Sequence, residues 1–335
     1  MTRRLLAPLA AMVTMALGAA CGGPAPDAPL EQVTIPPGAT LRAISESLAI
    51  HQVLDHPTWF RTLARLKGAD RSAQAGIYEM RHGERAGVIL RILTEGRGKL
   101  VRFTVPEGET LRAVAELAEA ELGIAADSFL SATRDTARLR AAGAEGPSYE
   151  GWLHPETYLV PLTIVPEDLV DLMVRGTVAL WTPEREARRD SMKLTPWEVL
   201  TLASIVEGEA LVDDERPVIA GVYLNRLRLR MPLQADPTVQ YGIELATGER
   251  KPRLYTKDYK FTSPYNTYLH PGLPPGPINS PGTASIDAVL NPASVPYLFF
   301  VAGADRRHVF SRTYREHLTA IRRVREGALL PPELN

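Results

Sequence analysis

Between Thr195 and Glu209 the chain carries an apolar run, Val199, Leu200, Leu202, Ala203, Ile205 and Val206, that closes on a carboxylate, Glu207. The spacing predicts a helix with marked ends. Thr195 can cap it, Pro196 fits its first turn, Glu198 completes a Thr-x-x-Glu box, and Gly208 marks the expected stop. Leu200, Ala203, Ser204 and Glu207 fall on one face, so Glu207 is expected to sit partly desolvated among small and aliphatic groups. Desolvation disfavours the charged carboxylate and raises its pKa, which suits a general acid. The competing reading is that Glu207 and Glu209 fray into solvent at a helix end. A second amphipathic run, Val218 to Met231, follows and contains Tyr223, Asn225 and Arg226.

The N-terminal half is organised differently. The segment from Val33 to Ile44, with Pro36-Pro37-Gly38 and Thr40 inside it, returns from Phe103 to Val114 as Pro106-Glu107-Gly108 and Thr110, an offset of 70 residues. Each copy reads as a short strand, a turn at Pro-x-Gly and a helix capped by Thr, the opening of a LysM-like module. Ala75 to Met80 and Ala86 to Leu93 read as strand then helix, and the charged stretch from Leu130 to Glu145 as a helical connector. Near the C-terminus Tyr297 to Val301 reads as a strand and Gly303 to Phe310 as a hairpin. The expected fold is α+β: LysM-like modules at 32–149, including the connector, then an α+β catalytic domain at 150–330.

The chain has 335 residues, room for two cores. Its 25 Gly and 28 Pro argue for many turns rather than a helical bundle. A net charge of -1 gives no case for a nucleic-acid surface. The seven histidines show no His-Glu-x-x-His spacing, so no metal site is expected, and no phosphate-binding glycine loop or Gly-x-Ser-x-Gly elbow occurs. No cofactor is expected either. What the second half does supply is polar loops stiffened by proline: Leu233-Gln234-Ala235-Asp236-Pro237, Tyr265-Asn266-Thr267-Tyr268 and Gly272-Leu273-Pro274-Pro275-Gly276. Stacking faces beside amides, with few formal charges, suit a neutral polyhydroxy ligand.

These motifs, with Ala203 to Glu207, Val222 to Leu227 and Glu150-Gly151-Trp152-Leu153-His154-Pro155-Glu156-Thr157-Tyr158, resemble the YceG-like endolytic murein transglycosylases from about Ile35 to His317. The resemblance implies cleavage of the β-1,4 bond between N-acetylmuramic acid and N-acetylglucosamine inside peptidoglycan strands. Glu207 would be the single acid and base, and the products would carry 1,6-anhydro ends. It implies Asn225, Gln234, Asp236, Tyr265, Asn266 and Tyr268 as substrate-binding residues and leaves the role of Glu209 open. A muramidase using Asp236 or Glu209 as a second carboxylate, and a non-catalytic peptidoglycan-binding scaffold, are the alternatives. The implied partners are glycan strands, the membrane through the N-terminus, and peptidoglycan synthases or division proteins.

At the N-terminus Arg3-Arg4 precede sixteen residues, Leu5 to Ala20, interrupted by Pro8 and ending in Gly18-Ala19-Ala20-Cys21. That falls short of the roughly 20 residues a spanning helix needs, and reads as a signal peptide over 1–20. Cys21, the one cysteine, then stands where a bacterial lipoprotein is acylated, and 21–31 form a proline-rich tether. The expected location is membrane-anchored and facing the periplasm, with the inner membrane favoured by the family and a signal anchor as the alternative to a lipid. Cys21→Ser is expected to block labelling by a palmitate analogue and to shift the protein out of the membrane fraction. A wild type that takes up no label, with a mutant that stays in the membrane, would instead establish a signal anchor.

Overall fold

The computed structural model describes residues 23–25, 27–303 and 305–327. The expected signal segment and Cys21 lie outside them. Among the described residues no helix is long and apolar enough to cross a membrane. The described residues form two compact units, one within 23–102 and 158–165 and one within 103–157 and 166–327.

In the first unit β1 (Leu30–Ile35), α1 (Leu41–Ile50), α2 (Pro57–Leu66), β2 (Gly76–Arg81) and α3 (Ala86–Thr94) follow one another. β1 and β2 pair antiparallel with Val33 opposite Tyr78. Alternation along each strand turns Val33, Ile35, Tyr78 and Met80 inward, onto Ile44, Leu48, Phe60, Ile89 and Leu93 of the helices. Gly38 takes φ +72°, which the tight entry to α1 requires, and the Thr40 hydroxyl accepts from the Ala43 N–H.

A copy of the same local structure begins with the last residues of the first unit and continues in the second. β3 (Leu100–Thr104), which pairs with β4 (Thr157–Pro161), leads through Gly108 at φ +81° to α4 (Leu111–Leu122), and Thr110 caps Ala113 as Thr40 caps Ala43. α5 (Ala126–Ala132) and α6 (Thr136–Ala141) follow. The expected connector is therefore part of a packed core: Phe129, Leu139 and Ala144 are fully buried, and Arg138 forks onto Asp171 at 2.8 Å. Thus residues 103–149, assigned by the sequence to the N-terminal region, pack with the C-terminal half. The rest of this unit comprises α7 (Pro166–Ala179), α8 (Pro183–Met192), α9 (Pro196–Glu209), α10 (Arg216–Arg228), α11 (Asp236–Thr247), α12 (Thr283–Leu290), the antiparallel hairpin β5 (Phe299–Ala302) and β6 (His308–Ser311), and α13 (Tyr314–Arg325). Among the described residues the fold is α+β, and the sheets are two-stranded.

Glu150 ties the second copy to α11. Both carboxyl oxygens accept from the Leu111 N–H, an otherwise unpaired donor at the start of α4, at 3.0 and 3.2 Å, and Oε2 accepts from the Tyr241 hydroxyl at 2.9 Å. Burial dominates these donors and raises Glu150 to about 7. Its folded pKa lies above the unfolded value, so the stabilisation is complete below about pH 4.5 and is lost as pH rises through about 7. The melting temperature should fall between about pH 5 and pH 8, and fall less in Glu150→Gln; an equal fall in both proteins would remove Glu150 from this account.

Candidate active site

The capping box of α9 forms as its residues predict: Thr195 Oγ1 accepts from the Glu198 N–H, and Glu198 Oε2 accepts from the Thr195 N–H. Every residue from Val199 to Val206 is buried. A proline-rich loop lies along the helix. Trp197 Nε1 donates to the Pro275 carbonyl, the Ile278 N–H to Ser204 Oγ, and Asn279 Nδ2 to the Ser204 carbonyl, all within 3.0 Å. Gly208 does not stop the helix, which runs on to Glu209. Its small size serves a close approach instead: a Cβ there would lie 2.8 Å from Pro237 Cβ of α11.

Two residues apart on a helix, Glu207 and Glu209 point roughly 200° away from each other, and they meet different surroundings. Glu207 Oε1 accepts from the Arg216 guanidinium at 2.9 Å and Oε2 from the Gly282 N–H at 3.0 Å, with the side chain only 7% exposed. Arg216 also donates to Ser285 Oγ at 3.0 Å and to Asp213, and stands 3.9 Å from Glu107. Burial, then the charge of Glu207, pushes the Glu107 carboxyl up. Glu207 is thus desolvated, as its face on the helix predicts, but both its oxygens are committed to fixed donors. Glu209 accepts from the Tyr223 hydroxyl at 2.9 Å and from the Asp236 N–H. Burial, reinforced by the Asp236 charge, raises it to about 7.

Glu209, and not Glu207, lines a cleft of about 530 Å³. Asp236 stands in the same cleft at the start of α11, where its oxygens accept from Tyr268 (2.6 Å) and Tyr259 (3.2 Å). Gln234 reaches it from a backbone at φ +50°, a left-handed conformation that a non-glycine residue holds only when its surroundings enforce it. A larger concavity of about 680 Å³ in the first unit, beside Lys67, Arg85 and Arg91, collects none of the residues predicted for chemistry.

Of the residues predicted to bind substrate, Gln234, Asp236 and Tyr268 line the cleft and three do not. Asn225 spends its amide on the carbonyls of Val295 and Tyr297, and Asn266, fully buried, spends its own on those of Tyr259 and Phe261. Tyr265 packs edge-on against Tyr241 at 4.9 Å. All three brace loops. The cleft also contains residues the sequence did not single out, among them Tyr259, Phe299, Tyr314 and His317; His308, buried and 2.7 Å from Glu215 Oε2, lines it as well.

Residues 33–323 match the YceG-like family. The chain belongs to that family. It is 33% identical over 303 residues to the endolytic murein transglycosylase of Bacillus subtilis (strain 168), covering 85% of this chain and 82% of that one. The pneumococcal endolytic murein transglycosylase of strain D39 is 29% identical over 311 residues, and there the match spans 85% of this chain and 56% of the relative. A YceG-like protein of Listeria monocytogenes, known from a crystal structure, superposes with a TM-score of 0.59 at 29% identity, over 88% of this chain and all of that one.

Arg216 is the hub of this side of α9, and removing one partner of a buried ion pair costs about 3–5 kcal/mol. Arg216→Ala should therefore destabilise by roughly that amount in denaturant titration. A loss within about 0.5 kcal/mol, as at an ordinary surface position, would show that the ion pair is not structural.

Proposed function

We propose that this protein is a lytic transglycosylase that cuts the β-1,4 bond between N-acetylmuramic acid and N-acetylglucosamine within peptidoglycan strands, with Glu209 as its acid and base. The observation that carries the reading is a half-buried carboxyl, raised to about 7 by desolvation, that opens on a cleft beside Asp236, Gln234 and Tyr268, in a YceG-like chain whose relatives are named endolytic murein transglycosylases. A carboxyl near neutral pKa is half protonated at working pH, so it can both give and take a proton. Glu209 would protonate the glycosidic oxygen as the bond to C1 breaks. Its carboxylate would then take the proton of the muramic acid 6-hydroxyl as that oxygen closes onto C1, leaving a 1,6-anhydro end and no net proton change.

The assignment moves the acid from Glu207, expected from the sequence, to Glu209. Glu207 then acts as a positioning residue, holding the end of α9 to Arg216 and Gly282. Asp236, fixed by two tyrosine hydroxyls, both raises Glu209 and places an acceptor beside the oxocarbenium-like state. A second reading, a muramidase with Asp236 as its other carboxylate, is favoured by that same proximity and differs in its products. The β1–α1–α2–β2 arrangement of the first unit supports a LysM-like role in holding the strand, and an exported, membrane-anchored protein is the setting this substrate requires.

Glu209→Gln should lose about 10²- to 10⁴-fold in rate on purified sacculi while circular dichroism stays unchanged. Wild-type activity should decline as pH rises through about 7, because the acid is lost there. If Glu209→Gln keeps more than about a tenth of the rate and Glu207→Gln falls by the 10² or more expected of a missing acid, the acid is Glu207. Products that resist borohydride reduction are expected; quantitative reduction would establish the muramidase.

A further inference from the structure

The cleft also holds an aromatic group that the proposed acid–base chemistry leaves unused. Tyr314 and His317 are three residues apart on α13 and share its inner edge. Phe299 of β5 meets both: its ring stacks on His317 with centroids 5.3 Å apart and an interplanar angle of 22°, and lies 5.8 Å from Tyr314. All three line the cleft that contains Glu209. Tyr314 is not a core residue, since it is 61% exposed.

Arg226, whose guanidinium lies 5.2 Å from the Phe299 centroid, also lines the cleft and donates through Nε and Nη1 to the carbonyls of Leu298, Pro232 and Leu233, which makes it a brace for the hairpin. Burial, then the nearby Arg226, lowers the His317 pKa, which keeps the imidazole uncharged, and its buried Nδ1 has no partner among the described residues. Apolar ring faces beside an unpaired neutral hydrogen-bonding atom match a pyranose, which presents C–H faces and hydroxyl or acetamido edges.

We propose that Tyr314, Phe299 and His317 form a binding subsite for an N-acetylhexosamine ring of the glycan strand, away from the bond being cut. The subsite rests on the transglycosylase reading and extends it from one bond to a stretch of strand.

The test is equilibrium binding of amidase-stripped glycan strands to full-length Glu209→Gln protein, alone and combined with Tyr314→Ala or Tyr314→Phe. Glu209→Gln is expected to bind, Tyr314→Ala to weaken binding about tenfold through loss of one buried ring face, and Tyr314→Phe to bind within about twofold. Tyr314 is on the surface, so circular dichroism should be unchanged. Undiminished affinity in Tyr314→Ala, with Glu209→Gln binding normally, overturns the subsite and leaves the function standing. A folded Glu209→Gln protein that binds no strands overturns both.

Discussion

The second unit depends on one buried ion pair, between Arg216 at the start of α10 and Glu207 near the end of α9. Arg216 also reaches Ser285 in α12 and Asp213 in the turn before α10, while Glu207 holds the Gly282 N–H at the entry to α12. Two charges with side chains only 10% and 7% exposed are costly to desolvate, and they are tolerated here because nearly every donor and acceptor between them is used. What the arrangement provides is position. Three helices and two loops meet at one planar guanidinium, whose fork geometry admits little freedom.

That fixed point explains how one helix end serves two purposes. With Glu207 pinned, helical geometry turns Glu209 to the opposite side of α9, towards Tyr223 and Asp236. Gly208 between them lets α11 close to within van der Waals contact, bringing Asp236 at its N-terminus near the Glu209 carboxyl. A larger side chain at 208 would push Pro237 away and weaken the charge effect that helps keep Glu209 protonated. The same glycine reads from the sequence as a helix stop. Only the packing of α11 against it reveals the other function.

Local structure was legible because its causes are local. The capping box of α9, the threonine caps of α1 and α4, and the strand–turn–helix repeat at an offset of 70 residues all form from neighbouring residues. The site was legible in part. The residue pattern brought Gln234, Asp236 and Tyr268 forward, and they meet in the cleft. It could not separate them from Asn225 and Asn266, because an amide that braces a loop through two carbonyls looks the same in sequence as one that faces a ligand. The distinction between Glu207 and Glu209 was illegible for the same reason: it depends on Arg216, Gly282 and Tyr223, all distant along the chain or across a turn. Phe299, Tyr314 and His317 carry no motif, and only the pairing of β5 with β6 and the packing of α13 assemble them.

The repeat shows how local structure can be turned to a new use without changing its form. Both copies bend through a left-handed glycine, Gly38 and Gly108, and both cap the next helix with threonine. They differ at the residue before that glycine, Pro37 in one and Glu107 in the other. In the second copy the turn is built into the Arg216 cluster: the Gly108 N–H donates to the Ser280 carbonyl, and the Glu107 carboxyl lies within 3.9 Å of the guanidinium. A Cβ on Gly108 would come within 3.7 Å of the Glu207 side chain, so the turn packs directly on the pinned glutamate. The first copy, with proline in place of that carboxylate, has no group that could enter such a cluster and remains an element of its own small core. In the second copy the turn thus both folds and braces the helix end that carries the proposed acid.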